Sequence, residues 1–253
     1  MTSTSPAPRR AWYLRVGVDD IGSGAVLVGD RGRARMSTEL LDDARILNED
    51  RGLTTVTGSW NGRRLTVVAF GMGAPIATIC LHELAALGAS EFVRAGTMMA
   101  FGETQLGDTI VSTRSFIHEG TSATYGVAGP SIEADAGLLN RATKLLDGDK
   151  CVRVGTTASC DGFYTEMSDI LGSTDRIDRL RQAWQDGGVI GIDMETSALY
   201  SAARMLNVAA ISVCLASVEL ATNEMMEPSV RQVRERELMI TAFQLLDGED
   251  ESR

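Results

Sequence analysis

Two carboxylates placed directly after an apolar segment form the most informative stretch of the chain. Residues 188–192 are an apolar run, and Asp193, Met194 and Glu195 follow it, just before a helical segment rich in small residues. An ionised carboxylate only accepts hydrogen bonds and can accept two, so a pair of sugar hydroxyls is a natural partner. The alternative is helix capping, with Asp193 as the cap and Glu195 in the first turn, because both charges favour the helix dipole.

Glycines and arginines form a second candidate site at other predicted strand ends. The turn from Gly71 to Gly73 joins a strand to a helix, where backbone N–H groups and the helix N-terminus can hold an anion. Arg33 follows a glycine-rich bend, and Arg94 ends another strand, where its burial is costly without an anionic partner. The planar fork of arginine binds phosphate oxygens bidentately, so the set predicts an oxyanion site. Taken singly, the glycines fit an ordinary turn and each arginine fits a surface ion pair.

Composition limits the classes of function that the chain can have. Its 253 residues, of which 44% are hydrophobic, suffice for one large α/β domain or two small ones. A formal net charge of -10 argues against a nucleic-acid polymer or an anionic membrane as partner, because either needs a basic surface. No apolar run reaches the ~20 residues of a membrane span. Residues 11–15 do not form a signal-peptide core, so we predict a cytoplasmic protein.

The cysteines and histidines do not predict a metal site. The four cysteines are scattered without a C-x-x-C pair, so buried free thiols are expected: Cys80, Cys151, Cys160 and Cys214. His82 and His118 lie far apart in sequence, and structural or solvated roles are expected for both. The sequence therefore calls for neither a metal nor an organic cofactor.

Strand-like and helix-like runs alternate along the chain, which predicts an α/β layer fold. The expected strands are 25–29, 54–60, 64–70, 91–95, 108–116, 151–159, 188–192 and 209–217. The expected helices are 77–87, 132–146, 173–185, 195–206 and 229–246. Asn61-Gly62 predicts a hairpin turn, since both residues tolerate positive φ. We expect a disordered tail over residues 1–10, one domain over 11–247 and a frayed end over 248–253.

The joint order of these motifs resembles the nucleoside phosphorylase superfamily, and most closely its hexameric uridine phosphorylases. The resemblance runs from about residue 14 to residue 246. Its motifs are Gly29-Asp30-x-x-Arg33, Arg51, Gly71-x-Gly73-x-Pro75, Arg94-x-Gly96-Thr97, residues 154–164 and Met194-Glu195. It implies a single-domain, three-layer α/β fold with a mixed, barrel-like central sheet flanked by helices. Dimers that assemble into a hexamer are also implied.

The resemblance further implies an activity and a set of ligands. The reaction would be cleavage of an N-glycosidic bond by inorganic phosphate, giving a free base and a pentose 1-phosphate. Nucleoside and phosphate are the implied partners, with no organic cofactor and no metal. The implied phosphate ligands are Gly29, Arg33, Arg51, Arg94 and Thr97, with Arg51 reaching the phosphate of a neighbouring subunit. Met194 and Glu195 would hold the ribose, Glu195 by its 2′- and 3′-hydroxyls. Arg94 and Glu195 are the implied catalytic residues.

The sequence departs from the family pattern where the base and the 5′-position are recognised. Arg15 stands where the family has a histidine that contacts the ribose 5′-hydroxyl; an exposed surface arginine is the alternative. The glutamine and arginine that read uracil fall on or near Met167 and Asp169, and the purine enzymes' Ser-Asp pair becomes Ser217-Val218. The implied base pocket is therefore apolar and adaptable, and its expected residues are Met98, Met99, Phe163 and Met167.

Two other functions stay open at this point. A hydrolytic nucleosidase would use water in place of phosphate and would not need the arginines. A non-catalytic nucleoside-binding protein on the same fold would explain the altered base pocket.

Overall fold

The structure is a computed structural model that describes residues 10–248. The tail expected over residues 1–10 and the frayed end expected over 248–253 lie outside this range, apart from one residue each. Arg10 forms an isolated antiparallel bridge with Gly17. Within residues 10–248 no helix has both the length and the apolar character needed to cross a bilayer.

The strands of the described residues form one mixed sheet of ten strands. They are β1 Gly24–Val28, β2 Asp42–Asn48, β3 Thr55–Trp60, β4 Arg63–Ala69, β5 Glu91–Ala100, β6 Thr109–His118, β7 Ser131–Glu133, β8 Val152–Cys160, β9 Val189–Asp193 and β10 Ala209–Glu219. Five of them close into a barrel in the order β5-β10-β6-β8-β9, because β5 pairs with both β10 and β9. The sheet continues from β5 through β1, β4, β3 and β2.

Helices cover both faces of this sheet. They are α1 Arg31–Met36, α2 Ala74–Ala86, α3 Thr121–Thr124, α4 Ala136–Leu145, α5 Asp175–Asp186, α6 Thr196–Leu206 and α7 Pro228–Asp247. Side chains along β1 alternate between two cores, as the period of a strand requires. Val26 packs with residues of α4 and α7, whereas Leu27 packs with residues of α2 and α6. The predicted fold class, a mixed barrel-like sheet flanked by helices, is confirmed.

The hairpin between β3 and β4 also matches its prediction. Asn61 has φ of 50° and Gly62 has φ of 82°, and Trp60 pairs with Arg63. These dihedrals are those of the tight turn that Asn-Gly favours.

Several predicted elements differ from the observed ones. Helix 132–146 is wrong at its start, because residues 131–133 pair with β6 and Asp135 caps α4 by accepting from Leu138 N–H at 2.9 Å. The bend expected at Arg33 is the helix α1, and Asp30 accepts from Gly32 N–H at its start. Strand β2 was not predicted, since it is a mostly exposed edge strand without an apolar alternation.

Strand β5 continues five residues beyond its predicted end at Ala95, to Ala100. Arg94 therefore lies within the strand and not at its end. The additional residues form ladders on both sides, with Met98 opposite Ala216 of β10 and Met99 opposite Ile192 of β9. Among the cysteines expected to be buried, Cys151 is exposed and the other three are buried.

Gly22 is predicted to be intolerant of any side chain, because a Cβ there would lie 1.9 Å from the carbonyl oxygen of Arg64. Gly22→Ala should lower the free energy of unfolding by about 2 kcal/mol or more, since overpacking against backbone cannot relax by a rotamer change. Gly129→Ala is the matched control, because its nearest contact would be 3.7 Å away. Urea unfolding of both variants measures the difference, and equal stabilities would contradict the steric argument.

Candidate active site

One cavity of about 590 Å³ brings together the predicted site residues from distant parts of the chain. Its walls come from the segments after β1 and β4, from β5, from the end of β9 and from β10. The predicted residues that line it are Gly29, Arg33, Arg51, Arg94, Thr97, Met98, Met99, Phe163, Met167, Met194 and Glu195. Arg15 is the predicted site residue that does not line this cavity.

Arg94 lies at the centre of the polar part of the cavity, with 5% of its side chain exposed. Its Nη1 lies 3.1 Å from Asp193 Oδ2, and its Nη2 lies 2.5 Å from Glu195 Oε2. Burial alone would lower the pKa of Arg94, but the neighbouring Cys214, Asp193 and Glu195 together raise it above its ordinary value. The guanidinium therefore stays charged between two carboxylates.

Gly96 is required by the path of the Arg94 side chain. A Cβ at Gly96 would lie 2.3 Å from Nη1 of Arg94 and 2.6 Å from its Cζ. The guanidinium thus folds back over the strand position that carries no side chain. This contact gives a structural reason for the Arg-x-Gly spacing noted in the sequence.

Asp193 and Glu195 have different roles at the junction of β9 and α6. Asp193 caps α6, because its carboxylate accepts from Thr196 N–H at 3.2 Å and from Thr196 Oγ1 at 2.5 Å. Glu195 occupies the N-cap position without capping the helix. Its carboxylate accepts from Gly73 N–H at 2.7 Å and from Arg94. Helix capping is thus the correct explanation for Asp193 and not for Glu195, whose carboxylate faces the cavity.

Arg33 forms a second buried cation in the cavity. It reaches from α1, with 3% of the residue exposed, and its Nη1 donates to Ala95 O at 2.6 Å. Burial lowers the pKa of Arg33, and Glu235, whose Oε1 lies 3.7 Å from its Nε, opposes this shift. The Nε atoms of Arg33 and Arg94 have no hydrogen-bond partner among residues 10–248. Each guanidinium group thus has one buried donor that the described residues leave unsatisfied.

Arg231 is a cavity residue that the sequence reading missed. It lies in α7, and its Nε contacts Glu235 Oε1 at 2.9 Å, so it shares a carboxylate with Arg33. In the sequence it is one of several charged residues of an amphipathic helix, and no local signal separates it from the others. Arg31 and Arg51 also line the cavity, so arginines dominate its charged side chains.

The segments after β1 and β4 approach each other closely at the cavity. Gly71 N–H donates to Gly29 O at 3.1 Å. A Cβ at Gly29 would lie 3.0 Å from Gly71 O, so a larger residue would push the two segments apart. Gly73 has φ of 102° and directly precedes α2, with its N–H directed at Glu195.

The remaining part of the cavity is apolar. Met98, Met99 and Met167 are each less than 5% exposed, and Phe163 and Val218 lie beside them. A β-bulge in β10 shifts the register between Ala216 and Val218. Bulges of this kind re-aim side chains next to active sites. Here the bulge turns Ser217 and Val218 toward the cavity.

A one-turn π-helix, Phe163–Met167, contributes Phe163 and Met167 to this apolar wall, where they pack in one cluster with Val218. Its Glu166 accepts from Gly162 N–H at 2.9 Å and forms an ion pair with Arg176. Asp169, which follows this turn, contacts Arg181 Nη1 at 3.0 Å and does not line the cavity.

Arg15 lies in a separate cavity of about 300 Å³, which it lines with Trp12, Tyr13, Asp50 and Arg51. The residue is exposed and has φ of 57°. Arg51 lines both cavities, and its guanidinium stacks 5.5 Å from the centre of the Tyr13 ring. Within a single chain, Arg15 does not line the cavity that contains Glu195. A role for Arg15 beside the ribose therefore stays a prediction.

The sequence and the fold are similar to those of known phosphorylases. The family model described as "Phosphorylase superfamily" matches residues 24–242. The guanosine phosphorylase of Halorubrum lacusprofundi is 29% identical over 204 residues, which cover 80% of each chain. The DeoD-type purine nucleoside phosphorylase of Jannaschia sp. is 31% identical over 218 residues, which cover 84% of this chain and 89% of the relative. The uridine phosphorylase of Vibrio fischeri ES114, in its complex with 6-hydroxy-1-naphthoic acid, superposes with a TM-score of 0.84 at 28% identity, covering 94% and 96% of the chains.

Glu195→Gln is expected to change how the stability of the fold depends on pH. Burial raises the pKa of Glu195 above its ordinary value of 4.5, although the charge of Arg94 opposes the shift. The folded protein thus holds this proton more tightly than the unfolded chain. Its contribution to stability is full below the unfolded pKa and is lost as the pH rises through the folded pKa. The stability of the variant relative to wild type should therefore increase as the pH rises through this window.

Urea unfolding at a series of pH values measures this difference. Glu224→Gln is the control, because Glu224 is exposed and its carboxylate makes no hydrogen bond or ion pair among the described residues. A stability difference for Glu195→Gln that stays constant across the window would refute the proton linkage.

Proposed function

The chain belongs to the phosphorylase superfamily, and we propose that it is a nucleoside phosphorylase that cleaves an N-glycosidic bond with inorganic phosphate. The products are a free base and a pentose 1-phosphate. The observation that carries this proposal is the contact of Arg94 with Glu195 inside a cavity lined by four further arginines. An anion site and a hydroxyl-binding carboxylate thus lie next to each other.

The arginines supply the phosphate site in this proposal. Arg33 and Arg94 are buried and each keeps an Nε without a partner among the described residues. Thr97 and the backbone at Gly29 complete the site, and Arg51 acts on the phosphate of a neighbouring subunit. Bidentate guanidinium contacts fix the orientation of the phosphate as well as its position. Positioning and electrostatics then provide most of the catalysis.

Glu195 and Met194 hold the ribose beside this phosphate. The Glu195 carboxylate accepts from the 2′- and 3′-hydroxyls of the sugar while it remains in contact with Arg94. Cleavage of the glycosidic bond passes through an oxocarbenium-like state, which nearby negative charge stabilises. The ion pair thus couples the sugar to the nucleophile, with the phosphate below the anomeric carbon.

The base is recognised by the apolar part of the cavity, with Met98, Met99, Phe163 and Met167 as its walls. The uridine phosphorylase type is our assignment, supported by the structural likeness to the Vibrio enzyme. Relatives named for guanosine and purine nucleosides match the sequence at similar identity. The choice of base therefore depends on this chain's own pocket.

We further propose a dimer-based homo-oligomer, a hexamer in its full assembly, located in the cytoplasm. The exposed Trp12, with 78% of its surface accessible, borders the cavity that contains Arg15 and Arg51. A second subunit that covers this surface would bring Arg15 beside the ribose 5′-position of its neighbour. Nucleoside and phosphate are the only ligands that the proposed reaction requires, without a metal or an organic cofactor.

A hydrolytic nucleosidase is the second candidate, and a non-catalytic nucleoside-binding protein is the third. A nucleosidase has no use for a phosphate site, so the arginines that line the cavity disfavour it. A binding protein on this fold would show no turnover. Assays of base release with and without phosphate separate the three.

Arg94→Ala is expected to abolish most phosphorolysis. A hydrogen bond to a charged group contributes about 1.5–3 kcal/mol, so the loss of each contact lowers the rate about tenfold or more. Arg114→Ala is the control, because this exposed arginine contacts Thr156 and lies outside the cavity. The readout is kcat/KM for phosphate at a fixed nucleoside concentration.

Arg94→Ala also leaves two carboxylates buried without a cation, so a second variant protects the test against misfolding. Thr97→Val keeps the shape of the side chain and replaces its hydroxyl with a methyl group. It should raise KM for phosphate with a smaller effect on KM for the nucleoside. Wild-type dependence on phosphate in folded Arg94→Ala and in Thr97→Val would show that the phosphate site is assigned wrongly.

A further inference from the structure

The described residues place no proton-donating side chain at the proposed base end of the cavity. Among residues 10–248, the ionisable side chains that line the cavity are Asp30, Arg31, Arg33, Arg51, Arg94, Asp193, Glu195 and Arg231. The arginines do not release a proton in a protein. Only the three carboxyl groups could serve as general acids.

Each of these three carboxyl groups is directed elsewhere. Asp193 and Glu195 both contact Arg94, and Asp193 also accepts from Ser159 Oγ at 2.6 Å. Asp30 is exposed and caps α1.

Three acidic residues that lie close in sequence to the base wall do not line the cavity. Glu166 pairs with Arg176, Asp169 accepts from Arg181 and Asn223, and Glu219 accepts from Ala221 N–H at 3.3 Å.

Among the described residues that line the proposed base end, Ser217 in the bulge of β10 is a polar side chain. Its hydroxyl can form a hydrogen bond but is not an acid at neutral pH. Its neighbours in this wall are methionines, Phe163 and Val218. A group that leaves into this space therefore meets no general acid among the described residues of its own chain, and general-acid catalysis contributes about 10²–10⁴-fold to a rate in enzymes.

This absence matters because of the charge balance of phosphorolysis. A phosphate oxygen forms a bond to the anomeric carbon, and the electron pair of the glycosidic bond goes to the ring nitrogen of the base. A base that is uncharged in the nucleoside then departs as an anion unless it receives a proton. A base with a fixed positive charge departs neutral, and the new sugar phosphate later releases the proton that its phosphate brought.

An apolar wall increases the difference in reactivity between nucleosides with a neutral base and those with a cationic base. Burial of an unpaired charge in an apolar environment is costly, so a departing anion is disfavoured there. The departure of a cationic base removes charge from the same environment, and the same cost then favours the reaction. An aromatic ring such as that of Phe163 attracts a cation to its face, and methionine sulfurs are polarisable.

We propose that the preferred substrates are nucleosides whose base carries a fixed positive charge, such as an N-alkylated purine or an N-substituted pyridine. This inference rests on the proposed phosphorolysis and names the substrate class of the same site. It makes the lack of a proton donor a determinant of specificity. Neutral nucleosides bind in the cavity but are cleaved slowly.

The first test compares phosphorolysis of 7-methylguanosine, which carries the fixed charge, with that of guanosine. With saturating phosphate, kcat/KM for the cationic nucleoside should be larger by about 100-fold or more, the size of a missing general-acid contribution. Nicotinamide riboside, a cationic nucleoside of different shape, should be cleaved as well. Equal kcat/KM for guanosine and 7-methylguanosine would overturn the inference.

The second test supplies the missing acid, which separates the enzyme's contribution from the intrinsic lability of cationic nucleosides. Val218→Asp places a carboxyl group at the bulge, where it borders the base. The ratio of kcat/KM for 7-methylguanosine to that for guanosine should fall at least about tenfold. Val218→Leu is the control, because leucine branches at Cγ as aspartate does but carries no acid. Its ratio of the two kcat/KM values should stay within about threefold of wild type.

The outcomes distinguish the inference from the function on which it rests. An unchanged ratio in a folded Val218→Asp variant, or an equal fall in Val218→Leu, overturns the inference while phosphorolysis stands. Base release that is independent of phosphate, or no release from any of the three nucleosides, overturns both.

Discussion

The ion pairs of Arg94 constrain the rest of this structure. A guanidinium buried in the interior of a sheet is strongly destabilising unless partners neutralise it and satisfy its donors. Here the partners come from the end of β9, about 100 residues further along the chain, and they meet Arg94 because β5 pairs with both β9 and β10. Closure of the barrel is therefore a condition for stable burial of this charge.

The same contacts join the proposed phosphate and ribose sites into one unit. Asp193 joins Arg94 to the start of α6 through Thr196, whose Oγ1 also lies 2.9 Å from Ser212 Oγ of β10. Glu195 joins Arg94 to Gly73 at the start of α2. Residues in one hydrogen-bonded network do not contribute additively. In the proposed reaction, the two substrates thus meet a single charged constellation held by β5, β9, β10, α2 and α6.

Local patterns in the sequence predict where the strands of the barrel lie. They do not predict the strands and strand ends that depend on pairing with distant strands. Buried strands such as β1 are continuous apolar runs, which explains why they were predicted close to their observed bounds. The exposed edge strand β2 lacks that pattern, and the extension of β5 through Met98 and Met99 depends on ladders with β9 and β10. Strand register of this kind is a long-range property, so it could not be derived from the local sequence.

The candidate site was likewise predictable in part from the sequence. Its charged end and its apolar end have different structural origins. Glycines and arginines at strand ends predicted the charged end, whereas Arg231 reaches it from a helix that appears in the sequence as a solvated surface. The apolar end is formed by local irregularities, the bulge at Ser217 and the π-helix Phe163–Met167. Neither irregularity takes part in the ion pairs of Arg94. The walls around the proposed base site can therefore change while the buried charges stay paired, so the proposed phosphate and ribose contacts do not depend on which residues form the apolar end.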